Sequence, residues 1–107
     1  MSPIHKLMQA VSVIRSFDPE MPTQTLQALL FIHEHPGVHQ HTMIEKLGFS
    51  TSQGARLAAR LGEWERRGKP GKKLVFAETD DGDRRWRKLW LTPRGQSMMT
   101  KLIDCLQ

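Results

Sequence analysis

A single cysteine, Cys105, leaves no partner for an internal disulfide and fits a reducing compartment. No apolar run approaches the roughly eighteen residues that a membrane span needs. The N-terminal stretch lacks the basic-then-apolar layout of a secretory signal, so the chain is expected to stay in the cytoplasm, away from membranes. There is no glycine-rich phosphate loop, nucleophile elbow, paired CxxC or HExxH, and His5, Asp18 and Glu20 stand isolated. Nothing therefore places a nucleophile beside a base, and neither an enzyme nor a cofactor is expected. What remains, 107 residues with 38% apolar and 25% charged side chains, suits one globular domain with one modest core.

The formal charge of +5 is distributed unevenly. Residues 51–94 hold twelve Lys and Arg against six acids, whereas the rest of the chain is slightly acidic. Attraction to a polyanion needs clustered charge rather than total charge, so this segment is the place to look for a phosphate-binding face.

Apolar spacing supplies the elements. Ile4, Leu7, Met8, Val11 and Ile14 predict a helix over 3–16, opened by Pro3 behind Ser2. A second helix is expected over 22–34 with Leu26, Leu29 and Leu30 inward, and a third over 39–47 with Met43, Ile44 and Leu47 buried and Gly48 as its left-handed stop. Ser50 caps a fourth helix, expected over 51–66, whose buried stripe is Gly54, Leu57, Ala58, Leu61 and Trp64. Residues 68–73 read as a turn or flexible connection, and 74–79 and 85–91 as the strands of a hairpin. Thr92-Pro93 opens a last helix with Met98, Met99, Leu102, Ile103 and Leu106 on its apolar face.

The fold class is thus mainly α with a small β-hairpin: a helix-turn-helix, with Gly48-Phe49-Ser50 as the turn, followed by a wing. The fourth helix would enter a major groove of double-stranded DNA. Its outer face carries Thr51, Ser52, Gln53, Ala55, Arg56, Ala59 and Arg60. Ser52, Gln53, Arg56 and Arg60 are the expected contacts, because Gln suits adenine, Arg suits guanine or phosphate, and small residues permit close approach. The hairpin would bring Arg84 or Arg85 to the minor groove. Lys72-Lys73 and Arg66-Arg67 flank this face and are candidates for phosphate contact.

The run EHPGV at 34–38, IEKLG at 44–48, Ser50-Thr51-Ser52 with Arg56, and DDGDRRWRKLWLTPRG at 80–95 resembles the MarR family of bacterial regulators over about residues 22–106. That resemblance implies recognition-helix contacts at Ser52, Gln53 and Arg56, a wing arginine at Arg84, and Asp83 as the acid that orients the wing. It also implies a homodimer joined by terminal helices, here 1–21 and 94–107 flanking a winged helix at 22–93, acting as a repressor on a palindromic operator in a bacterial cell or one harbouring its phage. Two departures are visible. The terminal helices are short, which argues against a small-molecule effector pocket, and the connection 63–72 is longer and more basic than usual, as an added phosphate-contacting element would be. The rival reading is a winged-helix adaptor that modulates another protein; it would call for an exposed apolar patch on the fourth helix.

Several residues have plainer explanations than function. His33, His35, His39 and His41 could ligate zinc or nickel, but side chains two apart on a helix diverge and no cysteine lies near, so exposed helix-end histidines are expected and no metal. Cys105 reads as a small buried hydrophobe, Met98-Met99 as core and dimer interface, and Trp86 and Trp90 as packing on neighbouring helices or stacking on a partner.

Overall fold

In the computed structural model, residues 1–80 and 83–107 are described, with 80 and 83–85 described in their backbone only. Helix α1 (Pro3–Phe17) starts where Ser2 Oγ accepts the His5 N–H at 3.1 Å, and it ends where the Asp18 N–H reaches Ile14 O and Pro19 and Pro22 forbid continuation. Helices α2 (Thr23–Glu34), α3 (Gln40–Leu47) and α4 (Thr51–Leu61) follow, the last two joined by Gly48, whose φ of 74° is the expected left-handed stop. Helix α5 (Pro93–Leu106) is capped by Thr92, whose hydroxyl accepts the Gly95 N–H at 3.0 Å and donates to Lys73 O at 2.7 Å.

The wing is an antiparallel sheet of three strands, with β5 (Asp83–Leu91) between β4 (Val75–Asp80) and a short β1 (Val38–His39). Strand β1 is not evident from periodicity, since two residues are too few to alternate; pairing of Val38 with Leu89 fixes it. The core gathers Leu29 and Ile32 of α2, Met43 of α3, Leu61 of α4, Leu74, Leu89 of β5 and Met98 of α5, all fully buried. Helices α1 and α5 pack on one another at one side of this core. Among the described residues no helix is long and apolar enough to cross a membrane.

Three sequence expectations fail. Helix α4 stops at Leu61 rather than 66, and Trp64, assigned to its buried stripe, is exposed. The chain then turns through β2 (Trp64–Arg66) and β3 (Lys69–Pro70), an antiparallel ribbon where the remainder of the helix and then a turn or flexible connection were expected. The reason lies at the helix end: the N–H groups of Gly71, Lys72, Leu74 and Lys73 reach the carbonyls of Glu63, Arg60, Leu61 and Gly62 at 2.8–3.0 Å. Those are the acceptors that a longer helix would have used internally. Gly71 makes this possible, because a Cβ there would overlap the Gly62 carbonyl and lie 2.9 Å from that of Ala59. The third miss is Leu30, predicted inward, which is exposed because α2 turns Thr25, Ala28, Leu29 and Ile32 to the core.

Candidate nucleic-acid interface

Helix α4 rises beside α3 at unusually close range. A Cβ on Gly54 would overlap Ile44 Cγ1 and lie 2.5 Å from Ile44 Cδ1, so glycine here sets how near the two helices come. Its N-terminus is capped by Ser50, whose Oγ accepts the Gln53 N–H at 3.1 Å. Thr51, Ser52, Ala55 and Arg56 are exposed, and Arg56 has no ion pair among the described residues. Gln53 is half-buried, and its amide donates to Gln24 Oε1 of α2 at 2.7 Å. Gln24 was not singled out in the sequence, because nothing in a single chain pairs residues 29 apart.

Arg60 is the principal correction among the predicted DNA contacts. It lies one turn beyond Arg56 as expected, but its guanidinium is folded back onto the Asp18 carboxylate, with Nη2 to Oδ2 at 2.9 Å and Nε to Oδ2 at 3.2 Å, and donates to Glu20 O at 3.3 Å. Asp18, isolated in the sequence, is 1% exposed. Burial by itself would raise its pKa; the Arg60 hydrogen bonds, the Glu20 N–H, and the charges of Arg60 and Lys72 outweigh that and hold the carboxyl below its ordinary value of 3.8. Lys72 is half-buried, with Nζ 3.7 Å from Asp18 Oδ1. Lys73 is exposed in the left-handed region at φ 58°. Glu65 completes the cluster: Lys69 at 3.0 Å is the main group that lowers its pKa, burial opposes this, and the charges of Arg60 and Arg66 add to the lowering.

Between α4 and the wing strands runs a groove of about 550 Å³, lined by Ala55, Ala58 and Ala59 on one side and Phe76, Arg87 and Leu89 on the other. Ala59 therefore faces the wing rather than open solvent. The side chains of Asp83, Arg84 and Arg85 lie outside the described residues, although their backbone opens β5. Trp90 is half-buried over Gly37, whereas Trp86 stays exposed with its ring 5.3 Å from His39. The histidines disperse: His33 meets Glu34 at 3.3 Å, His41 meets Glu45 at 3.6 Å, and His35 packs on Phe31. Among the described residues no three His, Cys, Asp or Glu side chains are grouped to hold a metal. Met98 and Met99 are buried and Cys105 is half-buried.

No protein-family model matches the chain, and no curated protein is significantly similar in sequence. Solved structures are another matter. A MarR transcriptional regulator from Methanosarcina mazei superposes with a TM-score of 0.70 at 17% identity, over 92% of this chain and 63% of that one. The fold is that of the MarR-type regulators. The S. aureus MepR–DNA complex matches with a TM-score of 0.70 at 20% identity, over 94% of this chain and 78% of that one. The PcaV transcriptional regulator of Streptomyces coelicolor, in complex with its natural ligand, matches with a TM-score of 0.63 at 27% identity, over 96% and 69%. The chain thus spans less than two thirds of the Methanosarcina mazei regulator's length. On this MarR-type scaffold α3 and α4 are the helix-turn-helix, and β4–β5 form the wing.

Proposed function

We propose that this chain is a homodimeric regulator that binds double-stranded DNA sequence-specifically and represses transcription from a palindromic operator. The observation that carries the reading is the outer face of α4. Thr51, Ser52, Ala55 and Arg56 are exposed there, and Arg56 is unpaired among the described residues. None of the large exposed apolar side chains lies on that helix, which counts against the adaptor reading. Ser52 and Arg56 would meet base edges, with Gln53 held toward Gln24 as a paired amide surface. Arg84 and Arg85 would follow the minor groove, while Thr51 and Lys73 would hold phosphates.

Dimerisation is supported by what a single chain leaves uncovered. Ile4, Leu7, Met8 and Val11 of α1 are 45–67% exposed, and Ile103 and Leu106 of the adjoining α5 are also open. An apolar surface of this extent on two packed helices needs a partner. A cytoplasmic location follows from the reading.

The test is a titration against the upstream intergenic DNA and a scrambled duplex at two salt concentrations. The expected result is binding about a thousandfold tighter to the upstream DNA and weakening steeply with salt. Equal, weak binding to both duplexes would remove the sequence-specific reading, and no binding at low salt would favour the adaptor.

A further inference from the structure

The ribbon β2–β3 is an ordered element, with a charge and a position that the recognition helix and wing leave unexplained. Residues 63–73 hold five basic side chains and two acids. The acids do not neutralise the bases evenly. Glu65 is half-buried and faces Arg60 at 3.9 Å and Lys69 at 3.0 Å, while Lys72 turns to Asp18. Strand alternation puts Trp64 and Arg66 on the opposite, outer face, and both are exposed. Arg67 is exposed beside Gly68 at the tip. Neither Arg66 nor Arg67 forms an ion pair among the described residues.

The ribbon is also held in place. Four N–H donors from Gly71 to Leu74 fix its base to the end of α4, and the Glu65–Lys69 pair joins its strands. Trp64 lines the groove that also holds Phe76, Lys73 and Arg87, so the outer ribbon face adjoins the wing beside the C-terminal half of α4. A duplex whose major groove receives α4 has a phosphate backbone along each edge of that groove.

We infer that β2–β3 is a second wing, whose Arg66 and Arg67 bind the phosphate backbone of double-stranded DNA beside the C-terminal half of α4. The inference rests on the DNA-binding reading and deepens it. Because the ribbon is anchored before binding, little order has to be imposed on it when DNA arrives. Phosphate contacts carry no base information, so the ribbon raises affinity for every sequence alike.

The experiment titrates the full chain and its Arg66→Ser/Arg67→Ser variant against the upstream and scrambled duplexes across a salt series. Each lost phosphate contact lowers the slope of log K against log salt by about 0.9, so the double variant should lose about 1.8 from the slope per bound protomer, about 3.6 for the dimer, on both duplexes. Arg66→Lys/Arg67→Lys should retain most of the slope, and thermal unfolding should be unchanged because both side chains are exposed. An unchanged slope in a parent that does bind DNA would overturn the second wing and leave the recognition helix untouched. A loss confined to the upstream duplex would overturn the phosphate role. A parent that binds neither duplex would overturn both readings together.

Discussion

Replacing Arg60 by methionine keeps much of the stem and removes the fork that holds Asp18. The carboxylate, 1% exposed, would then keep only the Glu20 N–H at 3.2 Å and Lys72 at 3.7 Å. Breaking a buried pair from one side costs about 3–5 kcal/mol where nothing replaces the lost partner. Lys72 stays, and the Arg60 side chain is itself 22% exposed, so about 2–3 kcal/mol is expected here. With a urea dependence of about 1–1.5 kcal/mol per molar for a domain this small, the unfolding midpoint should fall by roughly 2 M. Protomer concentration must be held fixed, since a dimer's stability depends on it. The pH dependence gives a second readout with a definite sign. In the parent, the lowered Asp18 pKa contributes stability that is present above the ordinary carboxylate range and is lost as pH falls through the folded value. In the variant, burial without the guanidinium raises that pKa, so the variant recovers as pH falls from about 7 toward about 4. Both changes narrow the gap in acid. A midpoint within about 0.3 M of the parent at neutral pH, or a gap constant from about pH 7 to about pH 4, would refute the reasoning.

Arg56→Ala should cost about 1–3 kcal/mol on the upstream DNA and much less on a scrambled duplex; equal losses in the same titration would reassign Arg56 to phosphate. Gly54→Ala should destabilise by about 1–2 kcal/mol in urea unfolding, because overpacking against Ile44 exceeds the helix-propensity gain. In an Ile44→Ala background the same change should stabilise by about 0.5–1 kcal/mol, and a cost in both backgrounds would discard the steric account. Leu7→Glu/Val11→Glu should give a monomer by sedimentation, with affinity for the upstream DNA reduced at least tenfold, about 1.4 kcal/mol. A parent that sediments as a monomer would remove the dimer instead.

Much of the fold was legible because its signals are local. Ser2-Pro3, Ser50 and Thr92-Pro93 each combine a cap with a helix start, and all three helices begin there. Gly54 falls in the buried stripe although glycine is a poor helix former, and the close approach of Ile44 supplies the reason. The misreadings share a different origin. Trp64 fits the helical stripe of Leu57 and Leu61, but two residues after Gly62 periodicity no longer reports on the same element. Arg60 fits the outer stripe of Gln53 and Arg56, yet what decides its direction is Asp18, 42 residues earlier. Strand β1 is similarly invisible until Leu89 is brought beside Val38. Long-range polar pairing leaves no periodic trace, so the candidate site was legible in its helix and less so in its surroundings.

That same pairing suggests how the terminal helices and the recognition helix are tied within one protomer. Asp18, just past the end of α1, is joined to Arg60 of α4, and Arg94, at the start of α5, donates to Lys72 O at 3.1 Å and Phe17 O at 3.4 Å. The Arg94 guanidinium also lies 4.8 Å over the Phe17 ring, with Lys101 Nζ 5.5 Å from the same centroid. These contacts run from the two helices proposed to dimerise to the last turn of α4 and to Lys72, just past the ribbon. For a palindromic operator the separation of two recognition helices has to match one helical turn of DNA, about 34 Å, so the joint between those parts matters as much as the side chains that touch bases. A buried carboxylate held by two cations is a directional joint, because its geometry is lost if either side rotates away. On the proposed function, Arg60 gives up a DNA contact of its own and ties the helix that carries Ser52 and Arg56 to the end of α1.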